Sequence, residues 1–387
     1  GTVDLDRSRA ALLARYIDVL LRVGVNLQRG QTLLVVDPPT AAEGIDFTHQ
    51  LTARAYALGA GDVVIAWKDT TTQRERALHA DDAALMVGPV WQGREQLERL
   101  RAGAAYLRLD APDPAALAGA DPARVAAMEL ARRQAFAEAT ALRMANGCAW
   151  CIAAIPTPAW AHLVFPHLSE ARGIAALWRF LFRVARADTP DPIAAWREHQ
   201  RRLAEVRDAL NALRLRRLHY RAPGTDLIIA LPEGHRWLGG GQTARGMPFV
   251  PNIPTEEVFT LPQRDGVSGT VRSTLPLNLA GQQLIEGISL TFERGRIVRY
   301  GATSGAAALK TVIETDEGSH FLGEVALVPA TSPCNTGYPL YNTLYDENAA
   351  CHLAIGQAYP TCLEGGEGQS AAELAARGLN SSSQHVD

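Results

Sequence analysis

The sequence predicts a two-part molecule: an α/β domain with a mostly parallel, layered sheet over residues 1–216, then an α+β domain with mixed or antiparallel strands over residues 217–387. Three observations predict it. At 387 residues the chain exceeds what one ordinary hydrophobic core serves. Its first half alternates short apolar runs with helical periodicity, the pattern of parallel strands joined by crossover helices. Near Arg217 the texture changes to short strands punctuated by glycine and proline.

Residues 5–27 place Leu12, Leu13, Tyr16, Ile17, Leu20 and Leu21 at helical spacing and close at Gly24. A buried-strand run comes next at Thr32–Val36, then a helix around Ala41–Leu58 and a strand at Asp62–Trp67. Similar runs recur at Ala104–Leu109 and Ala149–Ile155, and long helices are predicted at Glu170–Ala187 and Pro192–Leu213. Beyond Arg217 the strands are Leu218–Arg221, Asp226–Ala230, Gly269–Leu275 and the hairpin Ile288–Phe292 with Arg296–Tyr300. A helix is expected at Ala306–Glu314, a strand at Gly323–Val328 and a helix at Asp346–Gly356. No internal repeat is visible, and the polar Asn380–Gln384 stretch is the one segment of low complexity.

A net charge of −3 gives no electrostatic reason to expect nucleic acid or an anionic membrane as partner. No run of 18 apolar residues predicts a membrane span, and the N-terminus has no apolar signal core. The five cysteines are scattered and odd in number, which argues against a disulfide framework. A cytoplasmic location is the simplest expectation.

The first domain offers little chemistry. Cys148 and Cys151 have the spacing of a zinc or redox pair, but no second pair exists, so they read as buried cysteines. No strand, glycine-rich turn and helix combine into a dinucleotide fingerprint. Gly239-Gly240-Gly241 reads as a flexible surface turn.

The second domain is richer. In His385-Val386-Asp387 two ligand-type side chains stand at i and i+2. If extended, both leave one face, about 7 Å apart along the strand, which suits a shared metal. Glu324 lies in an apolar strand and needs a cationic partner, either a metal or an arginine. Of the adjacent Glu256 and Glu257, one is expected to face outward and one inward. His352 sits in the predicted helix with Tyr359 seven positions on, either as a ligand or as a hydrogen-bonded core histidine. Three carboxylates and two imidazoles suit two divalent cations that share a bridging carboxylate.

Several long stretches resemble a known family in the same order. Asn252–Thr260 (NIPTEEVFT), Gly323–Pro329 (GEVALVP), Asn342–Ala350 (NTLYDENAA) and the terminal His385-Val386-Asp387 are similar to the aminopeptidase T family of dinuclear metallopeptidases, which includes aminopeptidase S. Arg22–Leu27 and Pro223–Leu227 extend the resemblance over essentially the whole chain. It implies that residues 217–387 form a metal-binding catalytic domain, with Glu257, Glu324, His352, His385 and Asp387 as metal ligands. It gives Glu347 the role of general acid/base and Tyr359 that of oxyanion donor. The implied reaction is removal of the N-terminal residue from peptides with a free α-amino group, by a hydroxide bridging two metals. The metals would be zinc first, with cobalt, manganese or magnesium compatible with the same ligands. A homodimer is also implied.

Members of that family continue past the His-Val-Asp motif with a further strand segment, so a tail beyond Asp387 is expected, and two ligands would otherwise hang on an unanchored terminus. Two rival readings stand beside the peptidase. His352, His385 and Asp387 alone make the two-histidine, one-carboxylate set of a mononuclear non-haem iron ring-cleaving dioxygenase, which has no need of Glu257 and Glu324. A metal-free peptide-binding relative is the other.

Overall fold

The computed structural model of the chain describes residues 2–113, 116–279 and 283–387. They gather into two compact units, Gly1–Glu198 with Gly241–Thr255, and His199–Gly240 with Glu256–Asp387. The first is built on four parallel strands, β1 (Thr32–Pro39), β2 (Asp62–Lys68), β3 (Ala105–Asp110) and β4 (Trp150–Ala154), in the order β2-β1-β3-β4. Leu33, Leu34, Val35 and Val36 are all buried, as an apolar run without alternation requires when both faces of a parallel strand are covered. Gly24 ends the first helical segment where a Cβ would lie 2.8 Å from the Cys151 Sγ, so only glycine lets the chain pass there. Cys148 and Cys151 are free and buried.

The second unit begins within the helix Pro192–Leu213 and continues with the hairpin β5 (Arg217–Ala222) and β6 (Thr225–Ala230). The chain then returns to the first unit for the short hairpin β7 (Gln242–Ala244) and β8 (Met247–Phe249). The remaining strands are β9 (Val258–Thr260), β10 (Val267–Arg272), β11 (Leu277–Leu279), β12 (Gln283–Ile285), β13 (Ser289–Glu293), β14 (Arg296–Gly301), β15 (Leu322–Leu327), β16 (His352–Gly356) and β17 (His385–Val386). Among the described residues the two larger antiparallel sheets are ordered β14-β13-β10-β6-β5 and β17-β16-β15-β9, and β11 pairs with β12 as a two-stranded ribbon. Leu227, Phe292 and Ile297 from the first and Val258, Val325 and Ile355 from the second share one core with Leu309 and Ile313 of the helix Ala306–Ile313.

The expected helix over 346–356 is not there. A single turn, Thr343–Asp346, runs into a 3₁₀ turn, Glu347–Ala349, and Ala350 turns extended at φ −155° and ψ 168°. The chain then enters the strand β16, paired with β15. His352-Leu353-Ala354-Ile355 carries a two-residue alternation that places Leu353 and Ile355 against the core, and ladder pairing on both edges outweighs local helix propensity. Tyr359 therefore does not share a helix face with His352; it precedes the 3₁₀ turn Pro360–Cys362.

Gly239 and Gly240 also differ from expectation. Both are half-buried, and a Cβ on Gly239 would lie 2.8 Å from the Glu257 carbonyl oxygen. Leu238 bridges to Phe259 beside them, so this turn packs against the start of β9 instead of waving in solvent.

Candidate metal centre

Four strands deliver one face. In β9, β15, β16 and β17 the residues Val258, Val325, Ile355 and Val386 pack on the shared core. With a period of two, Glu257, Glu324, His352, His385 and Asp387 must then leave the opposite face. For β15 the period alone would fail, because Leu322 also packs in the core. A register shift between Leu322 and Glu324 corrects it, and Gly323 occupies the bulge, where a Cβ would meet the Gly356 and Gln357 carbonyl oxygens at 2.4 Å. The bulge is what lets neighbouring residues serve core and centre at once.

The five side chains converge. His352 Nε2 lies 3.2 Å from Glu257 Oε2, 3.6 Å from Glu324 Oε1 and 3.9 Å from Asp387 Oδ1. His385 Nε2 lies 3.2 Å from Asp387 Oδ1 and 3.8 Å from Glu324 Oε2. Their donor atoms fall into two groups within 4.8 Å, Glu257–Glu324–His352 and Glu324–His385–Asp387, joined by Glu324. Backbone carbonyls fix the imidazoles from behind: Nδ1 of His352 is 3.0 Å from the Ala350 oxygen, and Nδ1 of His385 is 2.7 Å from that of Gln357. This leaves both Nε2 atoms facing the carboxylates, with the rings oriented from behind as metal-ligating histidines are.

The electrostatics call for a cation. The carboxylate side chains are 7–17% exposed, and among the described residues their ion-pair partners are the two histidines alone. No arginine serves Glu324 among them. Glu257 Oε2 and Asp387 Oδ1 are buried and accept no aligned hydrogen bond. Removal from water pushes Glu324 up to about 7. Burial works against charge on His385, yet its bond to Asp387 and the nearby carboxylates carry it up to about 9. His352 is likewise raised by Glu257 and Glu324 against the pull of burial. The oxygen and nitrogen donors present fit divalent cations.

Glu347 stands at the edge of this set, half-buried on the 3₁₀ turn. Burial first, then Asp387 and Glu257, raise its carboxyl well above the usual range. The Tyr359 ring packs on His385 at 4.8 Å, and burial next to Glu324 and Asp387 raises its phenol, so the hydroxyl keeps its proton.

Glu256 and Glu257 do not divide into one outward and one inward. Glu256 is also buried, 3.4 Å from His199 Nε2, and its N–H donates to the Asn348 Oδ1 at 2.8 Å. That bond ties the first motif to the turn bearing Glu347. The terminal motif is tied down too. Asp316 accepts hydrogen bonds from the Ser383 N–H and hydroxyl at 2.7 Å each and from the Ser382 hydroxyl at 2.9 Å. Asn380 donates to the Gly318 and Gly356 carbonyls, and the Gln357 N–H donates to Gln384. The stretch of low complexity is thus an anchor. Asp316, Asn348 and Asn380 give no signal in the sequence because each acts through a long-range bond to backbone, which leaves no local pattern.

The family model described as thermophilic metalloprotease (M29) matches residues 9–387. The chain belongs to the M29 metalloprotease family. Aminopeptidase 2 of Geobacillus stearothermophilus is 45% identical over 377 residues, 97% of this chain and 90% of that protein. The wild-type AmpT structure from Thermus thermophilus superimposes with a TM-score of 0.90 at 40% identity, covering 97% of this chain and 91% of that one. The chain is accordingly a metal-dependent peptidase, and the α/β and antiparallel parts of its fold are those of AmpT. The 2,5-dihydroxypyridine dioxygenase of Pseudomonas putida KT2440 also aligns, with a TM-score of 0.52 over 90% of this chain and 87% of that one. At 15% identity this likeness concerns the fold alone. No described helix of this M29 chain is long and apolar enough to cross a membrane.

Proposed function

We propose that the chain is an aminopeptidase that removes the N-terminal residue from peptides at a pair of divalent cations, zinc first among them. Glu257, Glu324 and His352 would hold one, and Glu324, His385 and Asp387 the other. The single observation that carries this reading is that Glu324 belongs to both donor groups, with one oxygen toward each imidazole. A mononuclear iron site would leave Glu257 and Glu324 buried beside it without purpose. Membership of the M29 family supports the same reading, and on that basis we extend the proposal to peptides with a free α-amino group and to a homodimer in the cytoplasm.

When bound, the cations would acidify a water and polarise the scissile carbonyl. Glu347 would take the proton from that water and return it to the leaving amine, a role suited to a carboxyl whose proton affinity is raised by burial. Tyr359, a neutral phenol beside His385, would donate to the developing oxyanion. The backbone bonds behind His352 and His385 hold both rings so that no reorganisation is needed during the reaction.

The test is turnover of a leucyl peptide against its N-acetylated form. Release of leucine from the free peptide with negligible cleavage of the blocked one is expected. Equal rates on both would overturn the exopeptidase reading.

A further inference from the structure

The first unit holds a large crevice with no part in this chemistry. In the order β2-β1-β3-β4 the chain runs from β1 outward to β2 and then crosses back past β1 to β3. Open parallel sheets bind ligands at the carboxyl ends of their strands where the winding reverses. That reversal lies between β1 and β3. A cavity of about 1040 Å³ lies over one face of β1, β2 and β3 and reaches their carboxyl ends, where Asp37 of β1, Lys68 of β2 and Arg108 of β3 line it.

Its walls carry six cationic side chains against three carboxylates, in a chain whose net charge is −3. Two of the cations are satisfied locally. Arg76 donates to the Ala84 and Val87 carbonyls, and Arg99 pairs with Glu95 at 2.7 Å. The others are not. Arg108 lies 3.5 Å from Asp37 and 3.6 Å from Asp110, and Arg132 shares Asp37 at 3.5 Å, all longer than a charge-assisted bond prefers. The Arg108 Nε is buried and makes no aligned hydrogen bond. Arg143 lies over the Tyr106 and Trp150 rings, and neither it nor Lys68 has an ion-pair partner among the described residues. Pro39 pairs with Lys68 across β1 and β2, two residues beyond Asp37, which sets the lysine at the same end of the sheet. Asp37 itself stands at φ 63°, a left-handed conformation that non-glycine residues adopt at a cost and that gathers at binding sites.

We infer that this crevice binds a small organic anion of nucleotide size. A doubly charged head group of the phosphate monoester kind is received by Lys68, Arg108 and Arg132, and an apolar or planar body lies over the sheet face at Val64 and Ala66. No glycine-rich loop is involved; guanidinium and ammonium groups supply the recognition, and forked arginines suit such an anion. A dicarboxylate offers the same head-group charge, so the test separates the two.

Calorimetric titration of the full-length, metal-loaded protein with adenosine monophosphate, adenosine, inorganic phosphate and succinate tests the site. Adenosine monophosphate is expected to bind with a Kd below about 1 mM, phosphate more weakly, and adenosine not at all. Succinate binding in place of phosphate would keep the site and assign it to carboxylates. Lys68→Gln breaks no bond that the structure shows and should weaken the anion at least about tenfold, with thermal midpoint and peptidase activity unchanged. The same loss in Arg132→Gln would locate the head group. Absence of binding by every anion at several millimolar, or binding that neither variant alters, overturns the inference.

Discussion

Glu324 decides what the centre can hold, because its Oε1 faces His352 at 3.6 Å while its Oε2 faces His385 at 3.8 Å. A carboxylate so placed, buried and without an arginine, is stable beside two more carboxylates only if positive charge lies between them. In the metal-free chain that charge comes from protons, since Glu324 is pushed up to about 7 and His385 up to about 9. Both values are raised, so the groups carry protons below them, and a cation must displace those protons to bind. Metal affinity should therefore climb as pH rises toward about 9 and fall on acidification, with protons released on binding. Titration in buffers of different ionisation enthalpy reads this directly, and an affinity that stays flat across that range contradicts it. Glu347 makes a separate prediction. Glu347→Gln should lower kcat by about 10²–10⁴ while metal content is unchanged, because the residue moves protons and holds no cation. Loss of metal in that variant would make it a ligand instead.

At the scale of elements, the centre depends on two devices that local pattern does not announce. One is the bulge at Gly323, which turns Glu324 out of the core that Leu322 still fills. The other is the anchor of residues 380–384 on Asp316. The Ser383 N–H first, then the serine hydroxyls, hold the Asp316 carboxyl well below the usual range. With its value lowered, Asp316 contributes above the unfolded carboxylate range and loses that contribution only as pH falls through the folded value, so the anchor is intact at neutral pH. Asp316→Ala should free the segment carrying His385 and Asp387. Peptidase activity and metal affinity should drop at least about tenfold, with faster amide exchange confined to residues 380–387. Unchanged metal affinity would show that the terminal strand is held some other way. The strands of the first unit are legible in the sequence because apolar runs such as Leu33–Val36 are buried on both faces. The stretch 346–356 reads as a helix because Glu347, Ala349 and Ala350 suit one locally, while the pairing partners that make β16 a strand lie near residues 322 and 386.

For the whole molecule, the ligand types are legible from sequence but their assembly is not. Glu257 and Asp387 are 130 positions apart, and only the antiparallel order β17-β16-β15-β9 brings them within reach of one imidazole. The ordered motifs shared with a known family point to the five residues, whereas composition and spacing leave each open to an ordinary structural role. Supporting bonds such as Asn348 to Glu256 carry no signal that a single sequence displays. The central claim is that two cations share Glu324 and that peptide cleavage needs both. Metal content and leucyl-peptide turnover should be measured together through chelation and stepwise return of zinc. Activity is expected to be lost on chelation and restored fully only as the content approaches two per chain. Full turnover at one cation per chain, or turnover that survives chelation, would contradict the claim.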